Sequence, residues 1–444
     1  MKKVLRIFSI VLSFCIVLSM MQPICFAGVS KESVPSADVG KIGFLSMEKN
    51  LFDLNLLTSG STISGKCGEN VEYEYDYDEK TLTISGTGEM ESYTSENLPP
   101  WYSYCNEITT AVISGEVTNI APYSFYDCKM LNSIDICDTI IRIDEHAFFN
   151  CTSLSELNIP SGVEYIGFMS FYGCSGIESI DLPDSIKEIG LASFMFCTSL
   201  KTISLPSNLE KIGNEAFAQC YNLEEVILPE SLKEIGSDAF YSCQSLKSLF
   251  IPQNVNNIGS GIVVSDYVLE SLTVSIENTA YKSIDGILYT YDGRKAIACV
   301  GTQEVLSFAP GTEIIGYEFA YGCRGVKTII IPEGVKEIDP YAFSDNNQLN
   351  TIYLPNTISS IGFGAFEDCD GLSTVYYNGT EQEWSEISIG VFNDTLFDAD
   401  RITTVEGELA GKCGDSVNWR IDGETLYLWG SGEMTNYSKE CNLY

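Results

Sequence analysis

The chain has 444 residues, 45% of them apolar, and a formal net charge of −36. This composition is typical of folded protein rather than disordered polypeptide, and the length allows two or three ordinary domains or one long array. The excess of acidic residues argues against a nucleic acid or an anionic membrane as partner, because both repel a negatively charged surface.

The first 27 residues have the pattern of a secretory signal peptide. Two lysines and an arginine precede an apolar run over residues 7–21, and Cys25 and Ala27 occupy the −3 and −1 positions of a cleavage site. The run is short for a membrane anchor, and no later stretch of the sequence is long and apolar enough to span a bilayer. We therefore expect a secreted or cell-surface protein with no membrane span after removal of residues 1–27.

A linker at residues 28–63 and a small β module at residues 64–104 are expected next. The module is indicated by the alternating run VEYEYDY, the turn DEK and the strand TLTISG. A partial second copy is expected at residues 407–444, where GKCGDSVNW matches GKCGENVEY. This copy stops at Tyr444, which fits either an unusual end or a longer protein, and the anchoring mode stays open.

Between the two modules one pattern returns with a period of 23 residues in ten recognisable copies. Its consensus is L-x-x-I-x-L-P-x-x-L-x-x-I-G-x-x-A-F-x-x-C. The part LxxIxLP predicts a short strand that proline ends, LxxIG a second extended segment, and xxAFxxC one helical turn. No single unit can bury its own apolar face, so the units must stack with strands about 4.8 Å apart. The sequence predicts a repeat solenoid over residues 105–375, closed by a cap at residues 376–406.

The repeat register breaks between about residues 260 and 300. This segment contains two Asp-Gly pairs, Asp285-Gly286 and Asp292-Gly293. The second pair stands between two runs of strand-forming residues, which is a signal for a tight hairpin. We expect an inserted β-hairpin that projects from the solenoid, after which the pattern resumes at Ile315.

The repeats resemble those of leucine-rich repeat proteins, specifically the BspA-like type of bacterial surface proteins. The resemblance is carried by LPSNLEKIGNEAFAQCYNLEEVILP and its siblings, by GKCGENVEYEYDYDEKTLTISGTGEMESY ahead of the array, and by VYYNGTEQEWSEISIG at its end. It implies an array of short stacked β-strands with brief helical turns, an inserted hairpin and small β modules at the ends. By analogy it also implies extracellular adhesion or protein binding.

Cysteines recur in the last position of the repeat, with Asn346 in the same slot of one copy: Cys128, Cys151, Cys174, Cys197, Cys220, Cys243, Cys323 and Cys369. Neighbouring units would place these residues within disulfide range on Cα distance alone, but parallel side chains in one column pack as small buried hydrophobes. We therefore expect free thiols in the column. Cys67 and Cys105 are the candidates for a crosslink.

The sequence offers little for catalysis. Its single histidine, His146, stands at a repeat position that other copies fill with residues such as Glu215 and Asp238, and we expect an ordinary surface residue there. Nucleotide-binding, EF-hand and zinc-ligand spacings are absent from the sequence. We expect a non-catalytic protein without metal or cofactor, although the many carboxylates leave a paired-carboxylate site open.

One column of the strand LxxIxLP should face solvent, because side chains alternate along a strand. The column begins with polar residues and becomes apolar further along the array, at Ile227, Phe250, Ile330, Tyr353 and Tyr376. A stripe of exposed apolar side chains is typical of a binding face. The alternative is that strand-forming residues support one another along the ladder.

The function that these patterns favour is binding of an extracellular protein ligand, on host matrix or a neighbouring cell, through the strand face. One alternative is a carbohydrate-binding or scaffold protein that uses the terminal modules, in which Trp419, Tyr427 and Trp429 could stack on sugar rings. The other is the accessory region of a larger extracellular enzyme.

Overall fold

The computed structural model describes residues 62–265 and 268–403, together with the backbone of strands within 410–412, 417–422 and 425–430. The predicted signal peptide and the linker up to residue 61 lie outside the described residues. The chain divides into two units after Gly60, and all described residues belong to the second unit. Strands and helices are numbered below in chain order.

The N-terminal module is continuous with the first repeat. Three strands form an antiparallel meander, β1 (Thr62–Lys66), β2 (Val71–Asp76) and β3 (Thr81–Gly88), and a 3₁₀ turn at Tyr102–Tyr104 leads into β4 (Thr110–Val117). β3 pairs in parallel with β4 along its whole length. Trp101 is fully buried and its indole Nε1 donates to the carbonyl oxygen of Ser124 at 2.8 Å. The module therefore covers the open end of the array.

Each repeat then contributes two short strands, which form two sides of the solenoid. The strands are β5 (Asn119–Ile120), β6 (Ser133–Ile136), β7 (Arg142–Ile143), β8 (Glu156–Leu157), β9 (Tyr165–Ile166), β10 (Ser179–Asp181), β11 (Glu188–Ile189), β12 (Thr202–Ser204), β13 (Lys211–Ile212), β14 (Glu225–Val226), β15 (Glu234–Ile235), β16 (Ser248–Ile251), β17 (Asn257–Ile258) and β18 (Ser271–Val274). The odd-numbered strands from β5 to β17 form one parallel sheet. The even-numbered strands, from LxxIxLP, pair in parallel as β4–β6–β8, β10–β12–β14 and β16–β18, and their outward side is called the strand face below.

The third side of each repeat supplies the centre of the core. Phenylalanines from successive repeats stack with centroids 5.1–5.6 Å apart and planes within 9° of parallel: Phe125, Phe148, Phe171, Phe194, Phe217 and Phe240. All six are fully buried. The fixed spacing of phenylalanine in the sequence thus reflects one apolar slot that every repeat must fill.

The segment xxAFxxC is a series of tight turns, so the expected helical turn differs from the structure. Two positions per repeat have left-handed backbone, for example Glu215 at φ 55° and Gln219 at φ 59°. Backbone amides in this segment alternate between two kinds of hydrogen bond. One bond stays within the turn, as Ala218 N to Glu215 O at 3.1 Å, and the next reaches the following repeat, as Phe217 N to Ala239 O at 2.9 Å. A helix would use both amides for its own hydrogen bonds, whereas the turns leave every second amide to bond the neighbouring repeat.

The repeat position that cysteine usually fills requires a side chain that donates a hydrogen bond. The thiol of Cys220 donates to the carbonyl oxygen of Phe194 at 3.2 Å. Five other members of the column make the same bond to the preceding repeat: Cys151, Cys174, Cys197, Cys243 and Cys369. In the copy with Asn346, the side-chain amide donates to Ala320 O at 2.8 Å and to Phe343 O at 2.7 Å. The cysteines of the described chain are free thiols, including the buried Cys67 and Cys105, so the expected crosslink between those two is wrong.

Replacing Asn346 with leucine is expected to destabilise the fold by about 1–3 kcal/mol, because the carbonyl oxygens of Ala320 and Phe343 each lose one of their two donors inside the core. Asn346→Cys restores a donor of the type that most repeats use and should lose clearly less. Urea unfolding of the two variants compares these losses. Equal losses would mean that the slot selects for size alone.

The insertion is a three-stranded antiparallel meander, β19 (Tyr281–Ile284), β20 (Ile287–Thr290) and β21 (Lys295–Cys299). Both Asp-Gly pairs lie in its turns, with Gly286 and Gly293 at φ 78°. The meander does not project from the solenoid as expected. Leu288 and Tyr289 in the middle strand are fully buried, since apolar residues on this strand fill the space between two parts of the core.

The repeats resume with β22 (Val305–Ser307), β23 (Ile314–Ile315), β24 (Thr328–Ile330), β25 (Glu337–Ile338), β26 (Thr351–Pro355), β27 (Ser360–Ile361) and β28 (Thr374–Asn378), followed by α1 (Glu381–Glu386), β29 (Ser388–Ile389), α2 (Asp394–Asp398) and β30 (Asp400–Thr403). β21 continues in parallel into β23, β25, β27 and β29, and the strand face continues as β22–β24–β26–β28–β30. The fold is a parallel β-solenoid with very little helix, which confirms the predicted repeat solenoid.

The last repeat is closed by buried polar and aromatic residues. Asn393 is 1% exposed, donates to Gly362 O at 2.9 Å and accepts from Phe366 N at 2.9 Å. Trp384 of α1 is buried against Tyr377, and the Arg401 guanidinium lies 4.6 Å from its ring centroid. These contacts supply partners for the backbone groups that a further repeat would have bonded.

The second copy of the module has the same hairpin register as the first. Its strands are β31 (Ala410–Lys412), β32 (Val417–Asp422) and β33 (Thr425–Gly430), in antiparallel order. Val417 pairs with Gly430 as Val71 pairs with Gly86. The side chains of Trp419, Tyr427 and Trp429 lie outside the described part of the chain.

No helix within residues 62–265 and 268–403 has the length and apolar character needed to cross a membrane.

Candidate interaction surface on the strand face

Alternation along the strands separates core residues from outward residues. In β26, Ile352 and Leu354 are fully buried, and Tyr353 between them is half-buried on the outer side. Because neighbouring strands are parallel and in register, each outward position forms a continuous column across the sheet. The strand face therefore consists of two outward columns that the core does not need.

The five predicted residues all lie on this outer side. Ile227 directly follows β14 and is 73% exposed, and Phe250 in β16 is 49% exposed. Ile330, Tyr353 and Tyr376 are half-buried in β24, β26 and β28. These exposures place the predicted stripe where a partner can reach it.

The structure brings the last three of these residues together. Ile330 is the register partner of Tyr353, and Tyr353 is the register partner of Tyr376. The two tyrosine rings are stacked with centroids 4.7 Å apart and planes 7° from parallel. Ile227 and Phe250 lie on earlier repeats, so the stripe is in two parts.

The break in the stripe was hidden in the sequence by the insertion. Phe250 pairs with the exposed Thr273, and on the far side of the insertion Ser307 pairs with Ile330. Thr273 and Ser307 belong to the same outward column and each keeps the 23-residue spacing to its partner, but the insertion separates them from each other by 34 residues. The single apolar column expected from the sequence is therefore interrupted by two polar positions.

Two further apolar residues extend the second part of the stripe. Ile402 in β30 is the register partner of Tyr376, 26 positions later rather than 23 because α1 and α2 intervene. Val305, 52% exposed, begins the second outward column and is followed by Thr328. We call this surface the C-terminal patch: Val305, Ile330, Tyr353, Tyr376 and Ile402, with Thr328, Thr351 and Thr374 beside them.

Charged residues border the C-terminal patch. Lys327 pairs with Glu304 at 2.7 Å, and Arg401 pairs with Glu381 at 2.9 Å. Exposed pairs of this kind contribute little to stability, at most about 1 kcal/mol each. An apolar, aromatic centre with a charged rim is the usual composition of a protein-binding surface.

His146 is buried, so the expectation of a surface residue is wrong. It is 8% exposed and lies in an aromatic cluster, stacked on Tyr123 at 4.7 Å and edge-on to Phe168 at 4.9 Å. Burial lowers the pKa of His146 from 6.5 to about 4. Its Nδ1 has no hydrogen-bond partner among the described residues, so the imidazole is packed as a neutral aromatic ring rather than paired for proton transfer.

Acid is therefore expected to weaken the first repeats through His146. Because the pKa of His146 is lower in the folded state than in the unfolded state, its burial does not reduce the free energy of unfolding above pH 6.5. As pH falls from 6.5 to about 4, the free energy of unfolding decreases by up to about 3 kcal/mol. His146→Asn keeps a residue that tolerates the left-handed backbone and cannot titrate. Urea unfolding between pH 7 and 4 should show a smaller loss in this variant, whereas identical slopes would contradict a neutral buried imidazole.

Among residues 62–265 and 268–403, no three His, Cys, Asp or Glu side chains cluster in a way that could hold a metal ion.

Each repeat has two short strands in two parallel β-sheets, a third side of tight turns, a buried phenylalanine and a buried donor side chain. These features define a leucine-rich repeat solenoid. The model of the family described as "BspA type Leucine rich repeat region (6 copies)" matches residues 100–190, 169–285 and 298–402, more than half of the chain. The chain belongs to the BspA-type leucine-rich repeat family, which confirms the resemblance found in the sequence.

Several solved structures are similar to this chain. A leucine-rich repeat protein from Eubacterium ventriosum is 22% identical, with a TM-score of 0.49 over 72% of this chain and 73% of that one. A leucine rich cell surface protein from Faecalibacterium prausnitzii is 20% identical, with a TM-score of 0.46 over 74% and 99%. The pneumococcal vaccine antigen PcpA is 19% identical, with a TM-score of 0.47 over 78% and 88%. Comparison with curated proteins found no match.

Proposed function

We propose that this protein is a non-catalytic binding protein, secreted or held at a bacterial cell surface, that recognises an extracellular protein through its strand face. Membership of the BspA-type family supports a protein-interaction role and an extracellular location. The stacked pair Tyr353 and Tyr376 carries the proposal, because these rings face outward over strands whose inner residues already fill the core.

The composition of the C-terminal patch favours a protein partner. Aromatic side chains bury a large area and lose little conformational freedom, so they contribute strongly at interfaces. The tyrosine rings are stacked on each other, so one face of each ring is covered and the pair presents its ring edges. A protein side chain can pack on these edges and on the neighbouring Val305 and Ile402. Adhesion to host matrix or a neighbouring cell is the form of binding proposed.

A binding screen of residues 28–444 against arrayed extracellular-matrix proteins and glycans tests the proposal. The variant Phe250→Ser/Tyr353→Ser removes one residue from each part of the stripe. We expect a protein hit whose affinity falls at least tenfold in this variant. The matched control is Tyr165→Ser/Tyr291→Ser, two tyrosines 43% and 56% exposed on other sides of the molecule, which should bind like the parent.

Other outcomes have distinct meanings. A glycan hit that survives in the Phe250/Tyr353 variant would transfer the function to the terminal modules. An equal loss in both double variants would show that binding does not use the strand face. Either result would overturn the proposal, provided that circular dichroism shows both variants to be folded.

A further inference from the structure

Two acidic side chains meet on the turn side of the array, across the point where the insertion interrupts the repeats. Asp238 and Glu318 occupy the same left-handed position of their turns, with φ 56° and 51°. The turn between them contains Gly261, at φ 66°. A Cβ on Gly261 would collide with Asp238 Oδ1 and lie 2.9 Å from Glu318 Oε2. Both carboxyl groups therefore crowd the space that a side chain at position 261 would fill.

This point is also where the core divides. The first core cluster includes Ile262 and Val263, and the second includes Phe319 and Ala320. On the turn side the last turn before the insertion is bonded in both directions: Ser242 N donates to Val264 O at 2.8 Å within the first half, and Ser265 N donates to Tyr321 O at 3.3 Å across to the second half. We call this region the joint. A charge in the joint would therefore lie at the boundary between the two core clusters.

We propose that Asp238 and Glu318 form an acidic pair that is uncharged in acid, which keeps the joint tight, and that loosens the joint as pH rises and both groups ionise. Two carboxylates beside one partly buried space repel each other, whereas two protonated carboxyl groups do not. The groups that face the pair are Glu215 in the preceding turn, Tyr317 and Tyr321 near Glu318, and Tyr341 in the following turn. None of these groups is cationic.

The direction of the pKa shifts agrees with this geometry. Burial, with the nearby charges of Glu318 and Glu215, raises the pKa of Asp238 from 3.8 to about 8. Burial raises the pKa of Glu318 from 4.5 to about 7, although Tyr317 donates a hydrogen bond that opposes the rise. A raised folded-state pKa means that the pair contributes full stability below pH 4, which is lost as pH rises towards 8.

Hydrogen exchange at the joint tests the proposal. The variant Asp238→Asn/Glu318→Gln keeps the size of both side chains and cannot ionise. At pH 8 we expect the amides of Ser242 and Ser265 to exchange at least tenfold faster in the parent than in the variant, and at pH 4 at similar rates. Parent and variant are compared at the same pH because the intrinsic rate of amide exchange itself depends on pH. A control, Asp181→Asn/Glu225→Gln on the strand face, should match the parent at both pH values.

Equal protection of parent and variant at pH 8 would overturn the proposal. Faster exchange in the variant at both pH values would also overturn it, because the carboxylates would then stabilise the joint in their charged form. Neither result bears on the strand face, since binding there is measured by the loss in the Phe250/Tyr353 variant.

Discussion

Phe217→Ala is expected to lower the free energy of unfolding by about 3–5 kcal/mol. Phe217 is fully buried and its ring lies between those of Phe194 and Phe240, with both centroid distances 5.6 Å. Truncation leaves a cavity in the middle of the stack, and neighbouring repeats are tied on three sides, so the backbone cannot close over it. Urea or thermal unfolding monitored by circular dichroism measures the loss.

The control for this variant is Phe250→Ser. It also removes a phenylalanine from the middle of the array, but one that is 49% exposed on the strand face. We expect a loss of less than about 1 kcal/mol there, since the side chain contributes little to the core. Equal losses in Phe217→Ala and Phe250→Ser would contradict the assignment of inner and outer columns.

Trp101→Ala should have an effect of similar size at the N-terminal end. The indole packs against Tyr73 at 5.3 Å and Tyr93 at 5.8 Å and donates to Ser124 O. Alanine removes this packing, at about 3–5 kcal/mol, and leaves the Ser124 carbonyl without its donor. Because Trp101 joins the module to the first repeat, we also expect faster proteolysis within residues 62–104.

Trp101→Phe separates the two contributions. It keeps most of the apolar volume and loses the hydrogen bond, so a smaller loss of about 1–3 kcal/mol is expected. Unchanged proteolysis of Trp101→Ala would show that the pairing of β3 with β4 is sufficient to hold the module in place.

The inner columns of the array could be predicted from the sequence because each repeat fills the same slots. Phe217, Cys220 and Ile212 recur at fixed spacing, and the apolar or donor character that each slot requires is visible in the residue type. The reason for cysteine needed the structure. Only the carbonyl one repeat away explains why Asn346 can replace it.

The turns on the third side could not be predicted in detail. Left-handed backbone is usually signalled by glycine or asparagine, but here Tyr123, His146 and Glu215 adopt it. Tertiary bonds to the next repeat override the local preference of these residues. The burial of His146 follows from the same turn, which places it between Tyr123 and Phe168.

The outward stripe was predicted in part. Alternation from LxxIxLP placed Tyr353 and Tyr376 correctly on the outer side, because both stand in regular repeats. Ile402 was missed because it stands 26 residues after Tyr376. Thr273 and Ser307 keep the 23-residue spacing to Phe250 and Ile330, but they were missed because the Leu-Pro that ends the consensus strand is absent from both copies. The join between the N-terminal module and the array was also hidden, because pairing of β3 with β4 has no local signature.

Site-specific photocrosslinking tests the central claim most directly, that the strand face is the binding surface. A benzophenone amino acid replaces Tyr353 in one variant and Tyr165, on the other sheet, in a second. Each is irradiated with the protein partner found in the binding screen. We expect a covalent adduct from position 353 and none from position 165. An adduct from position 165 alone, with binding intact in both variants, would contradict the account.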